Sequence, residues 1–232
     1  MDTYTLDDVS VVMGAYNEAD AIEAVLDDID AATDGRAEVV VVDSSSDGTA
    51  ELAREHGATV IEQEPRGYGA ALITALRAAE GEVLVTTDCD GTYPMERIPD
   101  FVERINDGED VVSGDRLYWG AETMPAFNRL GNAVFAALAS ALLGERIHDT
   151  TTGMRAYRAA LIEDIEWTEN TGLSAELLLR PLARGYDVRE VPIEYGERLG
   201  ETTLDPLTGG RDIARSIVRV GVRERVRAAL PF

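Results

Sequence analysis

The sequence contains no lysine and a single cysteine among its 232 residues, and each shortage excludes a class of function. One thiol, at Cys89, excludes an intrachain disulfide. A chain without lysine has no Walker phosphate loop, because the lysine of that loop contacts the terminal phosphates of a nucleotide. The G-x-S-x-G nucleophile motif of hydrolases is also missing. The sequence therefore excludes a P-loop nucleotide hydrolase and a serine hydrolase of that type.

Positive charge is scarce as well. The chain has 44 acidic residues against 21 basic ones, which gives a formal net charge of −23. Nucleic-acid binding depends on clustered cations that neutralise phosphates, so this balance predicts no nucleic-acid partner. The composition resembles that of proteins from salt-loving organisms. In molar salt the Debye length falls to about 3 Å, and the repulsion between surface carboxylates is screened.

Membrane-targeting segments are equally scarce. The first ten residues lack the basic and apolar regions of a signal peptide. No stretch reaches the ~20 consecutive apolar residues that a membrane-spanning helix needs. The sequence therefore predicts a cytoplasmic protein, with any membrane attachment being peripheral.

Short apolar runs and helical segments alternate through the first 87 residues. The apolar runs are β-branched and bounded by polar or small residues, which is typical of strands buried on both faces of a parallel sheet. They lie at 9–13, 39–42, 58–61 and 83–87. Segments with helical spacing lie between them, at 20–32, 47–56 and 68–79. This alternation predicts an α/β fold with right-handed crossovers.

The second half has a different pattern. It predicts strands at 110–113 and 188–195, and a strand or loop at 152–157. Helices are predicted at 124–144, 173–184 and 209–230, of which the first is unusually apolar and the last is amphipathic and rich in arginine. We expect one α/β domain over 1–205 and a C-terminal amphipathic helical extension over 206–232.

Two carboxylates, Asp88 and Asp90, follow the fourth predicted strand directly. Ligands in open α/β sheets bind beyond the carboxyl ends of the strands. Alternate carboxylates at that position can converge on a hard divalent cation, which prefers oxygen ligands. The alternative is a pair of solvated aspartates that cap the end of the strand, since D-x-D is common by chance in so acidic a chain.

Other segments offer groups that an anionic substrate needs. Arg66-Gly67-Tyr68-Gly69 begins the third predicted helix, and a helix N-terminus with small residues favours an anion. The alternative for these glycines is a tight turn. Arg116, Arg155 and Arg198 lie in loop-like segments, where they contact phosphates or form surface ion pairs.

Taken together, seven motifs in order resemble the family 2 inverting glycosyltransferases with the GT-A fold, most closely the polyprenol-phosphate sugar transferases. The resemblance covers about residues 9–204, and its motifs are VSVVMGAYNEADAI, VVVVDSSSDGTAELA, RGYGAAL, TTDCDGTYP, SGDRL, HDTTTGMRAYR and YGERLGETTL. It implies a Rossmann-like nucleotide-sugar-binding sheet, mixed but mainly parallel and flanked by helices.

The resemblance also implies a role for each matching residue. Asp88 and Asp90 are the implied ligands of Mg²⁺ or Mn²⁺. The implied catalytic residues are Asp90, Arg155, Glu176 and Arg198. The implied substrate-binding residues are Tyr16, Glu18, Asp43, Gly67, Gly69, Cys89, Arg116 and Asp149. Thr92 stands where the mannose-transferring relatives often have a metal-binding Gln, and Thr203 stands where a Lys often contacts phosphate. The donor therefore remains open between UDP- and GDP-linked sugars.

The implied reaction moves a hexose from a nucleotide-sugar to dolichyl or polyprenyl phosphate with inversion, at the cytoplasmic face of the membrane. An acceptor phosphate is already anionic near neutral pH and needs cations, for which Arg155 and Arg198 are candidates. A sugar hydroxyl as acceptor needs a carboxylate base instead, for which Glu176 or Asp149 is the candidate. That second acceptor implies an enzyme that extends a lipid-linked or free glycan.

Two further alternatives remain open at this point. A sugar-nucleotide nucleotidyltransferase would need a glycine-rich first loop with a basic residue, which this sequence lacks. A catalytically silent sugar-nucleotide-binding protein would keep the fold without the metal-dependent chemistry.

The apolar segment at 132–143 is either a core helix or a helix that lies in the membrane interface. The arginine-rich C-terminal helix either faces anionic headgroups or packs on the domain.

Overall fold

The computed structural model describes residues 3–200 and 206–229, without the side chains of 206–208. These residues form an α/β domain built on one seven-stranded sheet. The strands are β1 (Val9–Ala15), β2 (Glu38–Asp43), β3 (Thr59–Glu62), β4 (Val83–Thr86), β5 (Val111–Asp115), β6 (Arg155–Arg158) and β7 (Val188–Pro192). The helices are α1 (Ile22–Thr33), α2 (Thr49–Glu55), α3 (Tyr68–Ala78), α4 (Ile98–Asn106), α5 (Ala126–Leu143), α6 (Ala159–Asp164), α7 (Leu173–Ala183) and α8 (Pro206–Ala229).

The strand order across the sheet is β3-β2-β1-β4-β6-β5-β7. The first four strands pair in parallel, with Val11 opposite Val39 and Val85. Strand β6 is antiparallel to both of its neighbours, β4 and β5. The sheet is therefore mixed and mainly parallel, as predicted, and the carboxyl ends of β1, β2 and β4 lie at one edge.

Helices cover both faces of the sheet. Successive side chains of a strand point to opposite faces, so each strand contributes to two apolar clusters. On β1, Val11 and Met13 pack against α1 and α4, where Ile29 and Phe101 are fully buried. Val12 faces the other way and joins a cluster with residues of α3 and α7. This two-sided burial explains why the strands are continuous apolar runs rather than alternating ones.

Helices α5 and α8 form a layer outside α7. Ile217 and Val220 of α8 are buried against Ala139 of α5 and against residues of α7. The backbone of Gly221 lies so close to Leu142 that an added Cβ would be 3.0 Å from Leu142 Cδ1. Helix α8 is thus packed on the domain by apolar contacts. The division of the chain at residue 205 stays a prediction.

The outer face of this layer is apolar and exposed. On α5, the exposed large hydrophobic side chains are Phe127, Leu130 and Val134, at 55–65% of their surface. Among the described residues, α5 is a helix long and apolar enough to cross a membrane by length and composition alone, with a mean hydropathy of 1.3 and 11% of its residues buried. Helix α5 is therefore not a core helix, which was one of the two alternatives for 132–143.

The predicted elements lie close to their observed positions, with two additions. Helices α4 and α6 were not predicted, and the segment read as a strand or loop at 152–157 forms β6 at Arg155–Arg158. Helix α4 begins directly after a 3-10 turn at Met95–Arg97 and presents Ile98, Phe101, Val102 and Ile105 to the core. It covers the sheet on the side of α1.

Candidate active site

Asp88 and Asp90 lie at the carboxyl edge of the sheet, directly beyond β4. Asp90 is 5% exposed, and its Oδ1 accepts hydrogen bonds from the backbone N–H of Thr92, at 3.1 Å, and from the Thr92 hydroxyl, at 2.6 Å. Asp88 is partly buried, and its Oδ1 accepts a hydrogen bond from the Tyr68 hydroxyl at 3.4 Å. Both carboxylates are therefore oriented by side chains from other parts of the site.

A guanidinium joins Asp90 to the first strand. Arg198 Nη1 donates to Asp90 Oδ2 at 2.6 Å, and Arg198 Nη2 donates to Glu18. The segment that carries Arg198 is fixed over Asp90 by backbone hydrogen bonds, from Leu199 N–H to the Asp90 carbonyl and from Gly196 N–H to the Thr92 carbonyl, both at 2.8 Å. The structure thus brings together Glu18, Asp90 and Arg198, three of the residues that the sequence singled out.

Burial and the nearby charge of Asp90 disfavour the ionised forms of two carboxylates at this edge, Asp88 and Glu18. Burial, followed by the nearby charge of Asp90, raises the pKa of Asp88 to about 7. Burial also raises the pKa of Glu18, and Arg198 only partly opposes that effect. Glu18 Oε2 is a buried oxygen with no hydrogen-bond partner among the residues that the structure describes. The site therefore holds more buried negative charge than its protein partners neutralise.

This excess suits a divalent cation. Asp88 and Asp90 offer the carboxylate oxygens that Mg²⁺ and Mn²⁺ prefer, and the Arg198 guanidinium already stands beside Asp90 as a counter-cation. Within residues 3–200 and 206–229, no group of three or more His, Cys, Asp or Glu side chains converges as a ready metal site. The two carboxylates fit a cation whose remaining ligands are water and substrate oxygens.

Residues at the ends of β1 and β2 form the adjacent part of the edge. Their loops are joined by hydrogen bonds, from Glu18 N–H to Thr49 Oγ1 at 3.0 Å and from Asn17 N–H to Ser45 Oγ at 2.7 Å. Asp43 is 2% exposed and accepts two hydrogen bonds from Ser45. A cavity of about 360 Å³ opens beside it, lined by Asp43, Ser45, Gly48 and Glu62 among others.

Tyr16 is placed at the same edge with 47% of its surface exposed. Its position at the end of β1, next to the cavity-forming loop of β2, leaves its ring accessible to a ligand. Tyr16, Glu18 and Asp43 thus belong to one part of the carboxyl edge. Their contacts with a nucleoside remain a prediction.

The glycines at the start of α3 have a different environment from the one expected. Asn170 Oδ1 accepts hydrogen bonds from the N–H groups of Gly69, at 2.9 Å, and Ala70, at 3.2 Å. These are the N–H groups that an anion would use at this helix N-terminus. In this structure the glycines Gly67 and Gly69 make room for Asn170, so the start of α3 is capped by a protein side chain rather than open to a phosphate.

Arg116 and Asp149 form a buried ion pair. Arg116 Nε and Nη2 donate to the two Asp149 oxygens at 2.7 and 2.9 Å, and Asp149 is fully buried. Arg116 Nη1 also donates to the Tyr93 hydroxyl at 3.3 Å, and its guanidinium lies 5.3 Å from the centre of the Tyr195 ring. Its charge reaches Asp88, whose pKa it lowers against the larger effect of burial.

Arg155 does not face the cleft. It is 1% exposed, and its three guanidinium nitrogens donate to Ser113 Oγ, the Ser174 carbonyl and the Thr150 carbonyl at 2.6–3.0 Å. The expected contact of Arg155 with a phosphate conflicts with this placement, because its donors are used within the protein. Arg155 instead ties β5, α7 and the segment before β6 together.

Glu176 is likewise inside the protein. It is fully buried, and it accepts hydrogen bonds from the N–H groups of Thr168 and Glu169 and from Arg180 Nε at 2.6 Å. A general base needs a free lone pair in reach of the substrate. The expected role of Glu176 near the acceptor therefore conflicts with its placement, and the residue holds the loop before α7.

Cys89 lies between the two site carboxylates in sequence but points away from them. It is 2% exposed, and burial raises the pKa of its thiol well above the usual range. Its Sγ lies 3.6 Å from the Gly14 carbonyl on β1. The Cys89 side chain is a core residue, so the expected contact with substrate conflicts with the placement of its thiol. Thr203 lies outside the described residues.

Three residues of the site were missed from the sequence. Tyr68 contacts Asp88, Asn170 caps α3, and Tyr93 accepts hydrogen bonds from Arg116 and, at 2.6 Å, from the N–H of Gly153. Tyr68 and Tyr93 lie in two motifs, RGYGAAL and TTDCDGTYP, in which the glycines and the carboxylates were the predicted functional residues. Asn170 stands in the polar segment T-E-N-T-G, whose composition indicates a turn and gives no sign of a partner one hundred residues away.

Comparisons with known proteins agree with this geometry. Residues 10–166 match the family described as Glycosyl transferase family 2. The chain is 64% identical over 227 residues to a dolichyl-phosphate hexose transferase of Haloferax volcanii, covering 98% of this chain and all of that one. It is 31% identical to a dolichol-phosphate mannosyltransferase of Pyrococcus furiosus, over 84% of this chain and 59% of the relative.

A solved structure has the same fold. Glucosyl-3-phosphoglycerate synthase of Mycobacterium tuberculosis, in complex with Mn²⁺, UDP and glucosyl-3-phosphoglycerate, superimposes with a TM-score of 0.71 at 25% identity, over 93% of this chain and 79% of that one. The predicted fold and the family resemblance are confirmed. With its carboxylate pair beyond β4 and its mixed, mainly parallel sheet, the chain belongs to glycosyl transferase family 2.

Proposed function

We propose that this chain is a metal-dependent hexosyltransferase that moves a hexose from a nucleotide-sugar to dolichyl or polyprenyl phosphate with inversion. The observation that carries the proposal is the pair Asp88 and Asp90 at the carboxyl edge, with the counter-cation Arg198 beside Asp90. The full-length relative from Haloferax volcanii is a dolichyl-phosphate hexose transferase, which supports the same reaction for this chain.

Asp88 and Asp90 would hold Mg²⁺ or Mn²⁺. Such a cation supplies charge neutralisation for the departing nucleoside diphosphate. The raised pKa of Asp88, caused by burial and by the charge of Asp90, supports a cation at this position, because a cation offsets that repulsion. The Mn²⁺ and UDP bound by the synthase of Mycobacterium tuberculosis support the same choice of metal and ligand.

The nucleoside of the donor would lie along the ends of β1 and β2. Asp43 lines the cavity of about 360 Å³ at this edge, and Glu18 is joined to the cavity residue Thr49 by a hydrogen bond. A carboxylate is a hydrogen-bond acceptor, and both uracil and guanine present N–H donors on their Watson–Crick edges. The site therefore suits either UDP- or GDP-linked sugars.

The acceptor phosphate would be held by arginine. Arg198 lies beside Asp90 on a segment held by backbone hydrogen bonds to Asp90 and Thr92, so its guanidinium is near the proposed metal site. A lipid phosphate is anionic at neutral pH and attacks without a strong general base. Arg116 is buried, and its positive charge favours the ionised form of Asp88. It therefore adds positive electrostatic potential to the same region.

A second candidate function is the extension of a lipid-linked or free glycan. That reaction deprotonates a hydroxyl and needs a carboxylate base. The two candidates, Glu176 and Asp149, are fully buried and occupied by Arg180 and Arg116. This observation favours the lipid phosphate as acceptor.

The exposed layer of α5 and α8 supports peripheral membrane contact at the cytoplasmic face. The exposed valines of α8 are spaced four residues apart, at Val218, Val222 and Val226, and are 42–52% exposed. Helix α5, against which α8 packs, exposes Phe127, Leu130 and Val134 as well. An interfacial helix buries such a face at the boundary between headgroups and acyl chains. A lipid-linked acceptor would then reach the site from the same surface.

The test is transfer from labelled UDP-glucose, UDP-N-acetylglucosamine and GDP-mannose, in molar KCl, with and without Mn²⁺ or Mg²⁺. Label that enters the lipid phase with dolichyl phosphate supports the proposal. Label that requires a preformed dolichyl-phosphate sugar supports the second candidate. Metal-dependent release of nucleoside diphosphate excludes a silent binding protein.

The matched variants are Asp90→Ala and Asp28→Ala. Asp28 is an exposed aspartate of α1, so its loss changes the net charge equally without touching the site. We expect Asp90→Ala to abolish transfer and Asp28→Ala to retain it. Near-normal transfer by Asp90→Ala would overturn the metal role of this residue.

A further inference from the structure

Asn170 makes three hydrogen bonds to the start of α3, from a segment one hundred residues away. Its Oδ1 accepts from the N–H groups of Gly69 and Ala70 at 2.9 and 3.2 Å, and its Nδ2 donates to the Arg66 carbonyl at 2.7 Å. The amide therefore satisfies two of the four N–H groups that a helix start leaves unpaired. It also fixes the residue that precedes the turn.

The turn is shaped to receive this side chain. A Cβ on Gly67 would lie 2.7 Å from Asn170 Nδ2, and a Cβ on Gly69 would lie 2.5 Å from the Asn170 carbonyl oxygen. Gly67 also has a φ of +96°, which side chains rarely adopt. The two glycines of R-G-Y-G are thus explained by the close approach of Asn170.

The residue between these glycines reaches the metal carboxylates. Tyr68 is the first residue of α3, and its hydroxyl lies 3.4 Å from Asp88 Oδ1. Asp88 is bounded on another side by Gly153, where an added Cβ would lie 2.6 Å from Asp88 Oδ2. The position of the Asp88 carboxylate therefore depends on where the first turn of α3 is held.

Asn170 is itself anchored from the C-terminal helix. Its neighbour Glu169 is 9% exposed and accepts hydrogen bonds from Ser216 and Arg219 of α8. Gly172 lies directly against Ser216, since an added Cβ would be 2.2 Å from Ser216 Cβ. The segment 169–172 is thus clamped between α8 and α3.

We propose that Asn170 is a positioning residue for Asp88, which holds the first turn of α3 so that Tyr68 is fixed against that carboxylate. The inference rests on the proposed function, because it assigns Asp88 to the metal site. It adds a residue that acts on Asp88 through the first turn of α3 and Tyr68. Residues that orient a metal ligand commonly change metal affinity by about tenfold or more when they are removed.

The experiment titrates Mn²⁺ alone into the full chain in molar KCl and follows free Mn²⁺ by electron paramagnetic resonance. The variants are Asn170→Ala, Tyr68→Phe and the double variant, with Thr171→Ala as the matched control. Thr171 is an exposed residue of the same segment. Asn170 is exposed as well, so its truncation leaves no buried cavity. Thermal unfolding of each variant is measured in parallel.

We expect Asn170→Ala and Tyr68→Phe each to weaken Mn²⁺ binding by about tenfold, and Thr171→Ala to leave it unchanged. Because Asn170 acts through Tyr68, the double variant should bind Mn²⁺ no more weakly than the weaker-binding single variant. If the losses in Mn²⁺ binding free energy of the two single variants add fully in the double variant, Asn170 acts independently of Tyr68, and the proposal is overturned. A lower melting temperature with unchanged Mn²⁺ affinity would make Asn170 a plain helix cap and overturn it equally.

Tyr68→Phe removes one oxygen from a retained ring, so it keeps the proposal testable if Asn170→Ala does not fold. Unchanged Mn²⁺ affinity in Tyr68→Phe overturns the proposal by itself. Failure of the proposed function has a different signature: the unaltered chain and Asp90→Ala would then bind Mn²⁺ equally. Failure of the present inference leaves that difference intact and removes only the effect of Asn170.

Discussion

Arg198 lies against Asp90, with its Nη1 2.6 Å from Asp90 Oδ2. The same guanidinium donates to Glu18, so one cation is shared by two carboxylates at the end of β1 and beyond β4. A divalent cation bound at Asp90, as proposed, would share this carboxylate with Arg198 or displace it. On that proposal, cation entry is coupled to the position of the segment around Arg198.

The first prediction concerns Arg198→Gln. If Asp90 binds the metal as proposed, removing the positive charge 2.6 Å from Asp90 Oδ2 should tighten Mn²⁺ binding by about threefold to tenfold, because the guanidinium no longer competes for the carboxylate and molar salt screens most of the remaining effect. Transfer to dolichyl phosphate should fall, because the acceptor phosphate loses its cation. Arg215→Gln is the control, since Arg215 is an exposed residue of α8 that pairs with Asp212. Weaker Mn²⁺ binding in Arg198→Gln would contradict competition for Asp90.

The second prediction concerns Gly153→Ala. An added Cβ would lie 2.6 Å from Asp88 Oδ2, closer than packed atoms approach, so the carboxylate must move. We expect Mn²⁺ affinity to fall by about tenfold or more. Gly131→Ala on α5 is the matched control, because nothing lies within 4 Å of its added Cβ. The prediction is wrong if both variants bind Mn²⁺ as the unaltered chain does.

The third prediction concerns pH and the buried pair of Arg116 and Asp149. Burial alone would raise the pKa of Asp149, but the adjacent guanidinium prevails and lowers it below 3.8. A carboxyl whose pKa is lower in the folded state stabilises the fold above its unfolded pKa, and this stabilisation is lost as the pH falls through the folded pKa. Asp149→Asn should cost about 3 kcal/mol at pH 7, because it leaves a buried charge unpaired.

The measurement for this prediction is urea unfolding of Asp149→Asn and the unaltered chain from pH 7 downward. The difference in free energy of unfolding should stay constant to about pH 5 and shrink below about pH 4. Asp28→Asn on α1 is the control and should differ little at any pH. A difference that stays constant down to the acid limit would show that Asp149 is not held ionised by Arg116.

The fourth prediction concerns the attachment of α8. Glu224 of α8 is 3% exposed and pairs with Arg180, which is 2% exposed, and with Arg184. Glu224→Ala leaves Arg180 paired with Glu176 alone and removes an ion-pair partner of Arg184, so it should lower the free energy of unfolding by about 3 kcal/mol. Glu163→Ala, at an exposed glutamate of α6, should change it by less than about 0.5 kcal/mol. Equal urea midpoints for the two variants would contradict the role of Glu224.

The fifth prediction concerns the exposed face of α5. Replacing Leu130 and Val134, which are 65% and 55% exposed, with Glu should abolish binding to vesicles of archaeal or anionic lipids in molar KCl. In such salt, apolar burial dominates over charge attraction, because the Debye length is only about 3 Å. The matched control is Ala24→Glu with Ala31→Glu on the exposed side of α1. Co-flotation of both double variants with vesicles would count against α5 as the lipid-facing helix.

The sequence predicted most of the fold because its strands are buried on both sides. The β-branched runs of β1 and β2 are readily identified as buried strands, and helix α1 between them carries a clear apolar face. The position of β6 between β4 and β5 was not readable, because strand pairing depends on contacts far apart in sequence. Helix α4 was missed although its apolar face is well formed.

The sequence correctly placed those site residues whose location follows from the end of a strand. It misplaced those whose location depends on packing against other elements. Asp88 and Asp90 follow a strand directly, so the sheet places them at its edge. Arg155 and Glu176 are polar residues whose burial depends on partners supplied by other elements, such as Ser174 and Arg180. A sequence pattern does not report such partners, and the same holds for Asn170.

The reversed direction of β6 has a consequence for how this enzyme can diversify. Because β6 runs opposite to β4, the segment that enters β6 begins at the same edge that β4 leaves, and Gly153 therefore lies beside Asp88. The chain from 116 to 154, which includes all of α5, leaves this edge at the end of β5 and returns to it at the start of β6, because these two strands are also antiparallel. Its middle can be exchanged or lengthened while β4, β5 and β6 stay in register.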